Sequence, residues 1–140
     1  MSEVPAHWDE IGKAVTLRNQ ISPETLVIGN GDVESKAEAL EKVAIYGVDG
    51  VMIGRGIFHN PYLFDDTKDW KSTGLPERLA LLERHVRLFD ETWQGKKHYP
   101  TLKKYFKIYI AGFDGASEIR EKLMATESPA EAMTLLLSLR

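Results

Sequence analysis

The sequence predicts two β/α units followed by a helical bundle. Three observations carry that prediction. Short β-type apolar runs at residues 25–28 and 51–53 alternate with helical patterns. A polar, proline-bearing stretch then runs to Gly74, and from Pro76 onward the apolar spacing is helical throughout. A chain of 140 residues is too short for a closed eight-stranded β/α barrel, which needs roughly 200 residues or more. Two buried-type strands also cannot form a stable sheet alone, because both keep an open edge. The expected fold class is therefore α/β plus all-α: the last two β/α units of a TIM-type barrel, then a C-terminal helical bundle. The expected domains are residues 1–66 and 67–140.

Each element has a local reason. Residues 5–20 place Trp8, Ile11 and Val15 at helical spacing. Ser22-Pro23-Glu24 is a turn, and Thr25–Ile28 reads as a short buried strand. Ser35 and Glu38 form a capping box, Ala37, Leu40 and Ala44 give the next helix an apolar face, and Gly47 ends it. Val51–Ile53 is a second buried strand. Asn60-Pro61 and the polar stretch 65–74, with Asp65-Asp66 as a solvated charge pair, form a connection. Leu79, Leu82, Val86, Phe89 and Trp93 then step along one amphipathic helix, which Gly95 breaks. Leu102, Phe106, Tyr109 and Phe113 mark another helix. Asp114-Gly115 turns the chain into a third with Ile119 and Leu123. Ser128, Pro129 and Glu131 occupy the N-cap, N1 and N3 positions of the last.

The composition is 43% apolar and 28% charged, with no cysteine. Disulfides, thiolate metal sites and cysteine catalysis are thus excluded for these residues. No apolar run approaches the roughly 18 residues of a membrane span. Glu3, His7, Asp9 and Glu10 interrupt any signal-peptide core, so a cytoplasmic location is expected. The four histidines, His7, His59, His85 and His98, show no metal-ligand spacing, and His59 is expected to face solvent. Trp8, Trp70 and Trp93 are expected to be packing residues. No serine, histidine and carboxylate arrangement points to a hydrolase, and no residue is assigned a catalytic role.

Two glycine stretches read as halves of one phosphate cup. They are Ile28-Gly29-Asn30-Gly31-Asp32 and Val51-Met52-Ile53-Gly54-Arg55-Gly56. Each follows a β-type run and can open a helix, so its N–H groups and the helix's positive end suit a dianionic phosphate. In β/α barrels the loops after the last two strands commonly form such a site. Arg55 adds a planar donor fork. Asn30 can donate through its amide. Asp32 would repel a phosphate, so it caps the next helix or holds a ribityl or ribose hydroxyl. Taken singly, Gly29 or Gly54 is also compatible with an ordinary strand-to-helix turn. Two helix ends and an arginine supply ~3–5 kcal/mol, near millimolar affinity.

Charge is unevenly spread. Lys96, Lys97, Lys103, Lys104 and Lys107 give residues 95–107 a charge of +5 against −3 for the whole chain, leaving −8 for the rest. Tyr99, Tyr105 and Tyr109 interleave with these lysines. One reading is a solvated helix face with Phe106 and Tyr109 in the core. The other is an RNA contact, in which lysines grip phosphates and exposed rings stack on bases.

The residues VIGNGDVES and YGVDGVMIGRGIFHNPYLF resemble the end of the flavin-binding barrel of tRNA-dihydrouridine synthases. YPTLKKYFKIYIAGFDGASEIREKLMATESPAEAMTLL resembles that family's C-terminal helical domain, and VPAHWDEIGKAV is similar to the helix before the barrel's seventh strand. The resemblance implies FMN with its phosphate at Asn30, Gly31, Gly54 and Arg55, with Asp32 beside it. It also implies tRNA contact by Lys103, Lys104, Lys107 and Tyr109, with Arg120 a further contact. The implied reaction is NADPH-driven reduction of a uracil ring in tRNA, with hydride from the flavin and a proton from a cysteine acid. That cysteine belongs to an earlier part of the barrel, which another chain could supply. The isolated 140 residues are expected to bind FMN weakly or not at all. Two alternatives stay open: a non-catalytic tRNA-binding helical module, and a fragment of another phosphate-ligand-binding flavin barrel enzyme.

Overall fold

The structure, a computed structural model, describes residues 4–140. It divides between Trp70 and Lys71 into two compact units.

The first unit opens with helix α1, Trp8–Ile21, which buries Trp8 and Val15. Strand β1, Ile28–Asn30, follows, then helix α2, Lys36–Tyr46, and strand β2, Gly50–Met52. The strands pair in parallel, with Ile28 opposite Gly50 and Asn30 opposite Met52. Both N-terminal strand ends are fixed by Asp49, whose carboxylate accepts from the Val27 N–H at 2.8 Å and from Arg18 at 2.7 Å. Those bonds hold its carboxyl below the usual range, the Val27 N–H contributing most. The α2 capping box forms as expected: the Ser35 hydroxyl accepts from the Glu38 N–H, and Gly47 closes the helix at φ 68°. The Glu38 carboxylate reaches back to the Glu34 N–H at 3.0 Å.

Trp8 organises this unit's core, packing with Val15, Val33 and Val48. Its ring lies under the first glycine turn, and a Cβ on Gly29 would stand 2.6 Å from it. Its indole N–H donates to the Gly31 carbonyl at 2.9 Å.

Several expectations are corrected. The first strand is Ile28–Asn30 rather than Thr25–Ile28, and the second begins at Gly50. Neither is buried on both faces. Gly29 is buried and Val51 packs toward Trp8, while Ile28 and Met52 remain 56% and 53% exposed on the opposite face. The apolar face of α2 also differs. Ala39, Val43 and Tyr46 pack on the core, whereas Ala37, Leu40 and Ala44 are exposed. The helix is apolar on two sides, and the strands lie under the other one. Asp66 is solvent-exposed, as expected of a linker charge, and also pairs with Lys36. Trp70 is buried and meets Tyr62 edge to face, so the unit ends four residues beyond the expected boundary at 66/67.

The second unit is helical. Helix α3, Leu75–Trp93, buries Leu79, Leu82 and Val86. Helices α6, Ala116–Ala125, and α7, Pro129–Ser138, close the core with Leu123, Ala132 and Leu136. Ser128 caps α7 by accepting from the Glu131 N–H. The single helix expected over Leu102–Phe113 is instead two short ones, α4, Pro100–Lys103, and α5, Phe106–Tyr109. Tyr105 and Ile108 donate to carbonyls three residues back, tightening the path. The segment is rich in aromatic and β-branched residues, which hold a regular helix weakly. Burial of Tyr99, Leu102, Phe106 and Ile110 fixes it instead. Among the described residues no helix is long and apolar enough to cross a membrane.

Gly29→Ala forces the Trp8 ring or the strand to shift, which costs about 1–3 kcal/mol. Trp8→Ala leaves a void and costs about 3–5 kcal/mol. Urea unfolding followed by circular dichroism checks both values.

Candidate functional site

The two glycine turns converge. Parallel pairing in this register puts Gly31 and Gly54 just beyond the C-terminal ends of adjacent strands. Gly56 locks the turns together: a Cβ there would meet the Val33 carbonyl oxygen at 2.6 Å and the Glu34 Cα at 3.0 Å. Gly31 is needed for two reasons, a φ of 139° and the Ala6 methyl at 2.4 Å from any added Cβ. Gly54 is different. Its φ is −91°, and open space lies above it. Asn30 is exposed beside that space, on the same strand face as Ile28 and Met52.

The electrostatics differ from the sequence expectation. Asp32 does not cap α2, because Ser35 does. One Asp32 carboxylate oxygen accepts from the Ala6 N–H at 2.7 Å, and the other takes Arg55 at 2.7 Å. Asp32 itself adopts φ 50°. The Arg55–Asp32 pair is half-exposed, so it is worth only about 0–1 kcal/mol. An arriving dianion can therefore share the guanidinium, which keeps further donors. Helix ends contribute less than expected. The first turn reaches α2 only after several loop residues, and the second opens a four-residue 3-10 turn, Arg55–Phe58. Arg55, rather than a long helix's dipole, is the positive group at the turns. The open side above Gly54 leaves room for a small anionic group next to Arg55.

The second unit carries a groove of about 370 Å³, lined by Lys103, Lys104, Lys107 and Arg120 together with Phe106 and Met124. Four of the five expected RNA-facing residues thus meet in one place, with Glu121 as the opposing acid. Two of the cations also hold the fold. Lys103 donates to the Met124 carbonyl at the end of α6 at 2.8 Å, and Arg120 donates to the Ile110 carbonyl at 2.7 Å. Lys104 and Lys107 are exposed, and Lys104 lies 4.8 Å over the Tyr105 ring.

Tyr109 is a correction. It turns inward to His85, its hydroxyl 3.1 Å from Nδ1, and burial pushes its hydroxyl above the ordinary value of 10.0. It packs partly buried against the core. Trp93 departs in the opposite direction, being 40% exposed where packing was expected. His59 is exposed, as the sequence reading has it. Among the described residues no group of three or more histidines and carboxylates could hold a metal ion. Sequence reasoning missed Trp8 and Gly56 as the parts that set the glycine turns. Neither announces itself by spacing, since both act through contacts across the unit.

The fold is an α/β unit with paired glycine loops at its strand ends, joined to a helical unit with a basic groove. The family model for dihydrouridine synthase matches residues 1–139. The chain belongs to the tRNA-dihydrouridine synthase family. It is 46% identical over 137 residues to a probable tRNA-dihydrouridine synthase of Staphylococcus epidermidis, covering 97% of this chain and 41% of that protein. It is 45% identical, with the same coverage, to one of Staphylococcus aureus. Probable tRNA-dihydrouridine synthase 2 of Bacillus subtilis is 44% identical over 97% of this chain and 42% of its own length. The chain therefore spans about two fifths of the relatives it matches.

Desolvation holds the His85 imidazole below its ordinary value of 6.5, so the folded unit keeps it neutral. Unfolding returns the ring to water, and the unfolded chain then binds the extra proton. Stability is full above about pH 6.5 and falls as pH drops toward the lowered value. His85→Gln flattens that slope, read as urea midpoints at pH 7.5 and 5.5. An unchanged slope in the variant counts against the assignment.

Proposed function

We propose that this chain is the C-terminal portion of a tRNA-dihydrouridine synthase, comprising the last two β/α units of its barrel and its helical tRNA-holding domain. The observation that carries the reading is the joining of the two glycine turns at parallel strand ends through Gly56. The uncovered strand face with Ile28 and Met52 supports a barrel interior, since inward-facing barrel residues are apolar and packed by the other strands. In this reading Asn30, Gly31, Gly54 and Arg55 hold the FMN phosphate, while Asp32 tethers Arg55. Bound there and reduced by NADPH, FMN would supply the hydride for converting uridine to dihydrouridine, with the proton coming from an acid outside these residues. These residues orient the cofactor and move no proton. Lys103, Lys104, Lys107 and Arg120 take tRNA phosphates.

The absence of cysteine favours a second reading for these residues acting alone: an RNA-binding piece without turnover. The remainder of the barrel, from the same polypeptide or a partner, then supplies the acid.

Two measurements test this. The 140-residue chain binds unmodified tRNA with a log–log salt slope of about −2 to −4, corresponding to three or four phosphates. Lys104→Ala and Lys107→Ala each remove about one unit of slope. A flat salt response overturns the RNA assignment. Joining the chain to the preceding barrel segment of a relative gives NADPH-dependent dihydrouridine formation. In that chimera Gly54→Ala changes stability by less than about 0.5 kcal/mol while weakening FMN retention. Stoichiometric flavin on the 140-residue chain alone contradicts the dependence on the remaining barrel.

A further inference from the structure

Trp93 stands apart from the other tryptophans. Trp8 and Trp70 are 5% and 7% exposed, whereas Trp93, the last residue of α3, is 40% exposed. The chain beyond it is held in place. The Gln94 N–H donates to the Asp90 carbonyl at 2.8 Å, and the Lys96 N–H donates to the Trp93 carbonyl at 2.8 Å. Gln94 and Gly95 are both left-handed, at φ 45° and 77°. This double left-handed exit folds the chain back over the helix end. It sets the Lys97 ammonium 4.4 Å from the centre of the indole ring. Lys96 lies beside it, and both lysines are exposed. Asp90 and Glu91, in the last turn of α3, offset the two lysine charges in number, so the indole–ammonium geometry, not net charge, marks this spot.

We propose that Trp93, Lys96 and Lys97 form a second RNA contact, where one unpaired base stacks on the indole and the two lysines take the flanking phosphates. The proposal rests on the reading of the helical unit as RNA-binding. Trp93 is not among the residues lining the basic groove, so the two contacts are separable by mutation. An exposed indole under an ammonium is suited to this use. Its π-face accepts any base, and the cation that now covers it can exchange the ring for a phosphate at small cost. Bases inside a helix are already stacked on one another, so the site selects looped or single-stranded nucleotides.

The probes are a uridine 15-mer and an abasic 15-mer of the same charge, titrated against the full chain. Trp93→Ala weakens uridine 15-mer binding by about 5- to 100-fold, leaves the salt slope unchanged and does not alter binding of the abasic strand. Trp93→Phe retains most of the affinity. Uridine 15-mer quenches tryptophan emission of the wild type and not of Trp93→Phe. Trp93→Ala binding like the wild type, while a Lys104→Ala/Lys107→Ala variant is weakened, overturns the stacking site and leaves the groove standing. The converse pattern overturns the groove and supports the stacking site. Equal loss on the uridine and abasic strands also overturns the proposal, because it makes Trp93 a structural or charge effect.

Discussion

The first unit depends on the contact between the Trp8 ring and the turn after β1. The ring fills the space where Gly29 lacks a side chain, and its N–H satisfies the Gly31 carbonyl. One side chain thus sets the height and the direction of the first glycine loop. Gly56 then carries that position across to the second loop through the Val33–Glu34 backbone. The geometry of the paired glycine loops thus follows from a tryptophan in the core. Tyr46 and Lys42 flank the ring on α2, at 5.6 Å and 5.3 Å, so the helix and the loop share one anchor.

The helical unit uses its polar groups in a comparable way. Tyr99 and Thr126 share a buried 2.6 Å hydrogen bond, and the Thr126 hydroxyl returns to the Leu123 carbonyl. Two basic residues of the groove are tied to carbonyls at the ends of neighbouring segments. Such ties hold the ammonium and guanidinium groups in place. Lys104 and Lys107, both exposed, supply the rest of the groove's positive charge.

Local signals were legible in the sequence and tertiary ones were not. Ser35 with Glu38, Gly47, and Ser128-Pro129-Glu131 each act within one helical turn, and all take the roles their spacing indicates. The glycine pair and the basic run were likewise visible as residue types. The buried side of α2 was not, because Ala37, Leu40 and Ala44 compete with Ala39, Val43 and Tyr46 and only the position of the strands decides. The break between α4 and α5 reflects core burial overriding periodicity. The pairing of Asp32 with Arg55 and Ala6 was not legible, because it crosses more than twenty residues of sequence, where the residue type suggests a helix cap or a hydroxyl contact.

The uncovered strand face has a cost outside the site. Among the described residues β1 and β2 pair only with each other, and Leu26, Ile28 and Met52 are all more than half exposed. A short sheet with open edges and an apolar face is a template for strand addition by any other chain. An apolar face of this kind favours self-association where nothing covers it, so solubility at high concentration responds to whether that face is covered.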